Sequence, residues 1–255
     1  MPTSYRRFVA LGDSQTEGTG DWDDDGNAVG WADRLATHLD GTSSPGLAYA
    51  NLAVNGCRAA HVRREQLPVA LDLAPDLASV VVGMNDVLRH DYDEDSVVAD
   101  VEAVVAALRG AGCDVVTMTF PDVGRMLPVM AWLRPRERRL NARLVEVARA
   151  YDVPVLDLFP LAMCGDPVIW SHDRIHGSSE GHRRIADGMA SLLGLPGSDP
   201  TWADPPGTRV DPLRAVARDA WWVATFVAPF LYRQLRGRGP TAGHAAKRPA
   251  LQTVG

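Results

Sequence analysis

Lysine is nearly absent from this chain: 25 arginines stand beside a single lysine, Lys247. The exchange of one cation for the other leaves the charge unchanged, so it reads as a coding bias and not as function. Cysteine is scarce too. Cys57, Cys113 and Cys164 are widely spaced, which excludes a disulfide framework and zinc-ligand spacing. No apolar run approaches the roughly 20 residues of a membrane span. The most aromatic run, residues 220–232, has 13 residues and is interrupted by Pro229. Residues 8–11 are too short for the apolar region of a signal peptide, so a cytoplasmic location is expected. Basic excess is missing: the formal net charge is −6, with 23% charged and 46% apolar residues. That balance belongs to a soluble protein with no nucleic-acid signature. There is no internal repeat, and 255 residues are enough for one sizeable α/β core.

What is present is a set of four short motifs in a fixed order. They are Gly12-Asp13-Ser14-Gln15, Gly56, Gly83-Met84-Asn85-Asp86 and Asp173-Arg174-Ile175-His176. Any Gly-Asp-Ser taken alone is an ordinary polar turn. Ser14, however, follows the apolar run Phe8-Val9-Ala10-Leu11-Gly12, which reads as a buried strand ending in a turn. Serine is a weak nucleophile until a base takes its proton, and a carboxylate keeps that base in the right tautomer. Asp173 and His176 are three residues apart, so one turn brings both to the same side. His176 is then the candidate base and Asp173 its orienting partner, with Asp166 as the fallback carboxylate. Only His176, among the histidines, has a carboxylate three residues before it and a helix just after it.

Acyl transfer also needs donors aimed at the oxyanion, and losing one costs about 100- to 1000-fold in rate. The candidates are the backbone N–H of Ser14, the backbone N–H of Gly56 and the side-chain amide of Asn85. Gly56 ends Asn51-Leu52-Ala53-Val54-Asn55-Gly56, where a missing side chain lets substrate approach. Asn85 follows the apolar strand candidate at residues 77–83. Asn85-Asp86 also reads as a turn followed by a helix cap.

These blocks resemble the SGNH hydrolases of the GDSL esterase/lipase superfamily, over about residues 6–195. The resemblance carries over to Ser14, Gly56, Asn85 and His176, with Asp173 completing a triad. It implies a three-layer α/β/α fold with a central parallel sheet, flavodoxin-like, an exposed active site, no cofactor and no metal. Gln15 departs from the family's name-giving motif, which has leucine there, and is expected to shape the acyl site. The implied activity is hydrolysis of carboxylic esters through an acyl-enzyme, with short acyl chains favoured because no long lid insertion is visible. Lysophospholipids and O-acetylated sugars remain open as substrates, as does a catalytically silent binding protein on the same fold.

Alternation of strands and helices supports a parallel sheet covered on both faces. Strands are expected at 7–12, 47–52, 77–83, 114–119 and 153–157, and helices near 29–40, 58–73, 94–110, 133–151 and 178–193. Leu140, Leu144, Val147 and Ala148 form one apolar helix face. The acidic loop Asp21-Trp22-Asp23-Asp24-Asp25-Gly26-Asn27 begins like a calcium loop, but its twelfth position is Ala32 instead of a bidentate glutamate. It reads as a solvated loop that rims the site. Cys57 reads as a small packed neighbour of the oxyanion glycine. Asp86 and Asp122 read as structural hydrogen-bonding residues, and His172 as a surface-loop residue.

The hydrolase domain is expected at 1–195, followed by a Pro/Gly-rich linker at 196–212 and a C-terminal aromatic helix with a basic tail at 213–255. Residues 233–255 carry five cations and no acid, leaving 21 basic against 32 acidic residues elsewhere. Two readings stand for 213–238: a helix docked on its own domain or on a second copy, with a disordered tail, or peripheral membrane contact. The expected partner is a small ester.

Overall fold

The computed structural model describes residues 4–208, 221–222, 225 and 245–254. Near-continuous apolar runs form its strands, because a parallel strand buried on both faces has no polar side. In chain order the elements are β1 (Arg7–Gly12), α1 (Ser14–Glu17), α2 (Gly30–Thr42), β2 (Ala48–Asn51) and α3 (Ala59–His61). A π turn at Val62–Gln66 leads into α4 (Leu67–Leu73). Then follow β3 (Leu77–Val81), α5 (Met84–Val87), α6 (Glu94–Gly110), β4 (Asp114–Met118) and α7 (Val123–Met126). A 3-10 turn, Pro128–Leu133, enters α8 (Arg134–Ala150). Next come β5 (Val155–Leu156), two further 3-10 turns, α9 (Ser179–Leu192) and β6 (Arg248–Thr253).

The sheet order is β5-β4-β3-β1-β2-β6. The first five strands pair in parallel, with Val9 beside Ala50 on one side and Ala78 on the other. Helices α2 and α9 pack together on one face, and α3 with its π turn, α6 and α8 on the other. This is the expected three-layer α/β/α architecture. Phe8, Val9, Ala10 and Leu11 of β1 and Leu35 and Leu39 of α2 are fully buried. Each of these side chains except Ala10 contributes about 1.5–3 kcal/mol. The α8 face expected from sequence is also buried: Leu140, Leu144, Val147 and Ala148 all enter the core.

Two expectations change. The sheet is mostly, not wholly, parallel: β6 pairs antiparallel with β2. Its residues were expected in a disordered tail, yet they close an otherwise open sheet edge. Pro249 is tolerated because β6 is itself an edge strand. The Arg248 guanidinium lies 5.2 Å from the centre of the Tyr49 ring. Lys247, the lone lysine, donates to the carbonyls of Ala28 and Val29 at 2.9 and 2.6 Å and pairs with Asp33 at 3.1 Å. Residues 196–208, expected as an extended linker, instead lie along α9. Arg184 donates to the carbonyls of Trp202 and Asp204 at 3.0 and 2.6 Å, and Thr208 N–H reaches Asp166 at 2.8 Å. The expected aromatic helix at 213–238 lies outside the described residues apart from Trp221, Trp222 and Thr225.

Candidate active site

The sheet changes winding direction between β1 and β3, which opens a crevice beyond their C-terminal ends. Ser14 and Asn85 both sit there. Gly12 ends β1 with φ +157°, and a Cβ on it would lie 2.4 Å from the Val81 carbonyl oxygen, so only glycine lets the two strands approach this closely. The buried Gln66 caps the strand end. Its Nε2 donates to the Gly12 carbonyl and its Oε1 accepts from the Gly12 N–H, both at 2.8 Å. Gln66 lies in the π turn, an irregularity that sequence periodicity does not reveal. Asp13 caps α1 by accepting from the Gln15 N–H at 3.1 Å. Asn51, at the end of β2, donates to the Thr16 carbonyl at 2.8 Å and ties down the other side of the turn that carries Ser14.

The candidate acid–base pair, Asp173 and His176, stands on a loop between the short 3-10 turns and α9. A bridge between Trp170 and Gly177 closes its base, and the Ser171 N–H donates to the His176 carbonyl at 2.9 Å. Inside, Asp173 Oδ1 accepts from Ser171 Oγ at 2.6 Å, Ile175 N–H at 2.9 Å and His176 N–H at 3.0 Å. Asp173 Oδ2 lies 2.6 Å from His176 Nδ1, and His176 Nε2 lies 2.8 Å from Ser14 Oγ. Burial raises the Asp173 carboxyl, but the hydrogen bond and charge of His176 outweigh it and hold the group well below the usual carboxylate range. An ionised Asp173 selects the tautomer with the proton on Nδ1, leaving Nε2 to accept from the Ser14 hydroxyl.

The expected oxyanion donors are brought to the same end of the sheet. Gly56 has φ +76° in a turn closed by the Cys57 N–H to the Val54 carbonyl at 3.1 Å. The Asn85 amide donates to Asp13 Oδ2 at 3.2 Å and to the Cys57 carbonyl at 3.0 Å. Both of its protons therefore rest on protein acceptors. Burial pushes the Asp13 carboxyl up to about 7. Burial, followed by the nearby charge of Asp13, pushes the Cys57 thiol up to about 11, which keeps it protonated and inert at neutral pH.

The other candidates fall elsewhere. Asp166 accepts from Val168 and Thr208 N–H groups and does not orient His176. His172 is exposed, on a cleft of about 410 Å³ shared with Trp170, Arg174, Trp221 and Trp222. His182 is fully buried. Its Nδ1 accepts from the Trp31 N–H at 3.2 Å and its Nε2 meets the Thr19 carbonyl at 3.3 Å. Asp86 accepts from the Ala59 N–H at 3.1 Å, and burial pushes its carboxyl up to about 6. Asp122 caps α7 and pairs with Arg134. In the acidic loop, Asp21 turns inward to Arg34 at 2.8 Å, and Asp23 accepts from Asp25 and Asn27 of its own loop.

Two contacts carry no signal in the sequence. Gln15 reaches across to the histidine loop, donating to the Ile175 carbonyl at 2.8 Å and accepting from the Gly177 N–H at 3.4 Å. It is thus engaged by the loop instead of standing free toward an acyl group. Trp222, buried, donates its indole N–H to the Asp173 carbonyl across 49 residues of chain.

The sheet order and the crevice define an SGNH-type α/β hydrolase fold. The sequence profile of the GDSL-like lipase/acylhydrolase family matches residues 10–184, and the chain belongs to that family; it is a carboxylic ester hydrolase. No curated protein sequence matches it. Solved structures with the same fold include a variant of the acetyl xylan esterase Axe2 from Geobacillus stearothermophilus. It is 17% identical with a TM-score of 0.62, over 74% of this chain and 95% of that one. LAE5, an alpha/beta hydrolase enzyme from the metagenome of Lake Arreo, is 19% identical with a TM-score of 0.61, over 74% and 95%. The psychrotrophic esterase EstA from Pseudoalteromonas sp. is 17% identical with a TM-score of 0.59, over 74% and 97%. Among the described residues, no helix is long and apolar enough to cross a membrane.

Proposed function

We propose that this hydrolase is a serine esterase that cleaves short-chain acyl esters by double displacement. The observation that carries the reading is the continuous chain of contacts from Asp173 through His176 to Ser14, at 2.6 and 2.8 Å. Ser14 Oγ attacks the ester carbonyl while His176 Nε2 takes its proton, and Asp173 stabilises the resulting imidazolium. The tetrahedral oxyanion is met by the N–H groups of Ser14 and Gly56 and by the Asn85 amide, which shares a proton now held by Asp13 or the Cys57 carbonyl. His176 then returns its proton to the alcohol leaving group. A water molecule, activated by the same imidazole, cleaves the acyl-enzyme.

Short acyl groups are favoured because the described turns beside Ser14, at 52–58 and 82–83, are short and carry no lid. The acetyl xylan esterase among the structural relatives acts on an acetyl ester, which is consistent with this. Hydrolysis of p-nitrophenyl esters from acetyl to palmitoyl, by wild type and Ser14→Ala in parallel, tests the proposal. Activity should peak at the shortest chains and vanish in Ser14→Ala. A maximum at long chains would move the substrate to lipid. Equal activity in both proteins would remove the nucleophile assignment, and no activity in either would favour a silent binding protein.

A further inference from the structure

We infer that Gln15 is a positioning residue that sets His176 against Ser14, an assignment that rests on the serine-esterase reading of the site. The acid–base loop spans residues 170–177 without regular secondary structure, and Ser14 and His176 are separated by 162 residues of chain. Their 2.8 Å contact therefore depends on whatever fastens the loop to the nucleophile turn. Gln15 does this from the position next to the nucleophile. Its single carboxamide binds the peptide groups on both sides of His176: Nε2 donates to the Ile175 carbonyl at 2.8 Å, and Oε1 accepts from the Gly177 N–H at 3.4 Å. Only a side chain with a donor and an acceptor on one short plane can do both at once. Leucine, which the family's name-giving motif has there, can do neither.

The same device recurs twice where this sheet hands over to its loops. Gln66 binds both the N–H and the carbonyl of Gly12 at the end of β1. Asn141 binds both polar groups of Phe120, just past β4, at 2.9 and 2.8 Å. In those cases the carboxamide fixes a buried backbone unit. At Gln15 the fixed unit carries the general base, and the residue holding it is covalently joined to the nucleophile. The Gln15 carboxamide thus ties the loop that carries His176 directly to the turn that carries Ser14. The Gln15 side chain hydrogen-bonds to the peptide groups that flank His176, and so acts through backbone.

The test uses the full-length protein and the variant Gln15→Leu, with Gln15→Glu as a second probe that keeps size and an acceptor but loses the donor. The expected result in Gln15→Leu is a fall in kcat of about tenfold, with KM within about twofold and the unfolding midpoint nearly unchanged. Gln15→Glu should fall with it, because the contact to the Ile175 carbonyl is the shorter one. The His176 Nδ1 proton, held in a 2.6 Å bond to Asp173, should resonate far downfield in the wild type. In Gln15→Leu this signal should broaden through exchange as the loop loses its anchor. A change in KM at constant kcat would overturn the inference and make Gln15 a wall of the acyl site. Wild-type kcat and an unaltered downfield proton would overturn it too. If the wild type hydrolyses no ester, the proposed function fails, while the proton signal still decides whether Gln15 anchors His176.

Discussion

The two halves of the proposed active site are built in different ways. The nucleophile half hangs from strand ends: Ser14 follows β1, Asn85 follows β3, and Gly56 follows β2 by a short turn. Those strands are buried on both faces, and buried carboxamides, Gln66 at Gly12 and Asn51 at Thr16, fasten the turn that carries Ser14 to them. The acid–base half stands outside regular structure. Asp173 and His176 are placed by side chains instead, by Ser171 and the loop N–H groups inside, Gln15 on one side and Trp222 on the other. A site can thus join one part whose geometry is inherited from the fold to another whose geometry is assembled contact by contact. Changes in the first should cost stability and rate together. Changes in the second should cost rate with little stability.

Asp173→Asn offers the sharpest separation of the two costs. The asparagine retains an oxygen for the loop N–H groups but loses the charge that selects the His176 tautomer. The kcat of the variant should fall about 10³- to 10⁴-fold, while urea unfolding shifts by no more than about 1 kcal/mol. A large stability loss with modest kinetic loss would break the comparison. Gln66→Leu probes the other half. It strands the buried N–H of Gly12 and leaves its carbonyl with only the 3.4 Å contact from the Val54 N–H. Its urea midpoint should fall by the equivalent of about 1–3 kcal/mol, with activity falling in step as Ser14 shifts. Unchanged stability would show that the strand end is not held by Gln66.

His182 gives the smallest expected effect. Burial lowers its imidazole to about 4 from an ordinary 6.5. Between those values the unfolded chain binds the extra proton, so stability is lost as pH falls from 6.5 toward 4, and this group has no such effect above 6.5. In His182→Gln, whose carboxamide can still accept from Trp31 and donate to Thr19, that loss is absent. The variant should be less stable than wild type by about 1 kcal/mol at pH 7, and the gap should narrow by pH 4.5 in calorimetry. A gap that widens on acidification would mean that His182 is charged in the fold.

Much of this was visible in the chain. The helix at 94–110 is legible in the sequence with the bounds the structure has, and β1, β3 and β4 announce themselves as apolar runs. The four motifs, through their resemblance to the GDSL family, point to ester hydrolysis without reference to any tertiary contact. The failures share a cause. β6 carries proline and little alternation, so nothing local distinguishes it from a tail. Pairing with β2 makes it a strand, and the pairing partner lies about 200 residues away. The run at 196–208 looked like a linker because proline and glycine are common there, yet Arg184 recruits its carbonyls to α9. Gln15 looked like a substrate-facing neighbour of the nucleophile because sequence shows adjacency along the chain, not across it.

The sequence by itself determined the class of fold, the parallel strands and the chemical groups available for catalysis. These depend on periodicity, on side-chain chemistry and on spacing within a few residues, which the unfolded chain already possesses. Tertiary structure alone decided which carboxamide anchors the histidine loop, which acceptors hold the Asn85 amide, and that Trp222 meets the Asp173 carbonyl. Those choices are hydrogen bonds between distant segments. They exist only after burial has excluded water and brought donor and acceptor within about 3 Å of each other.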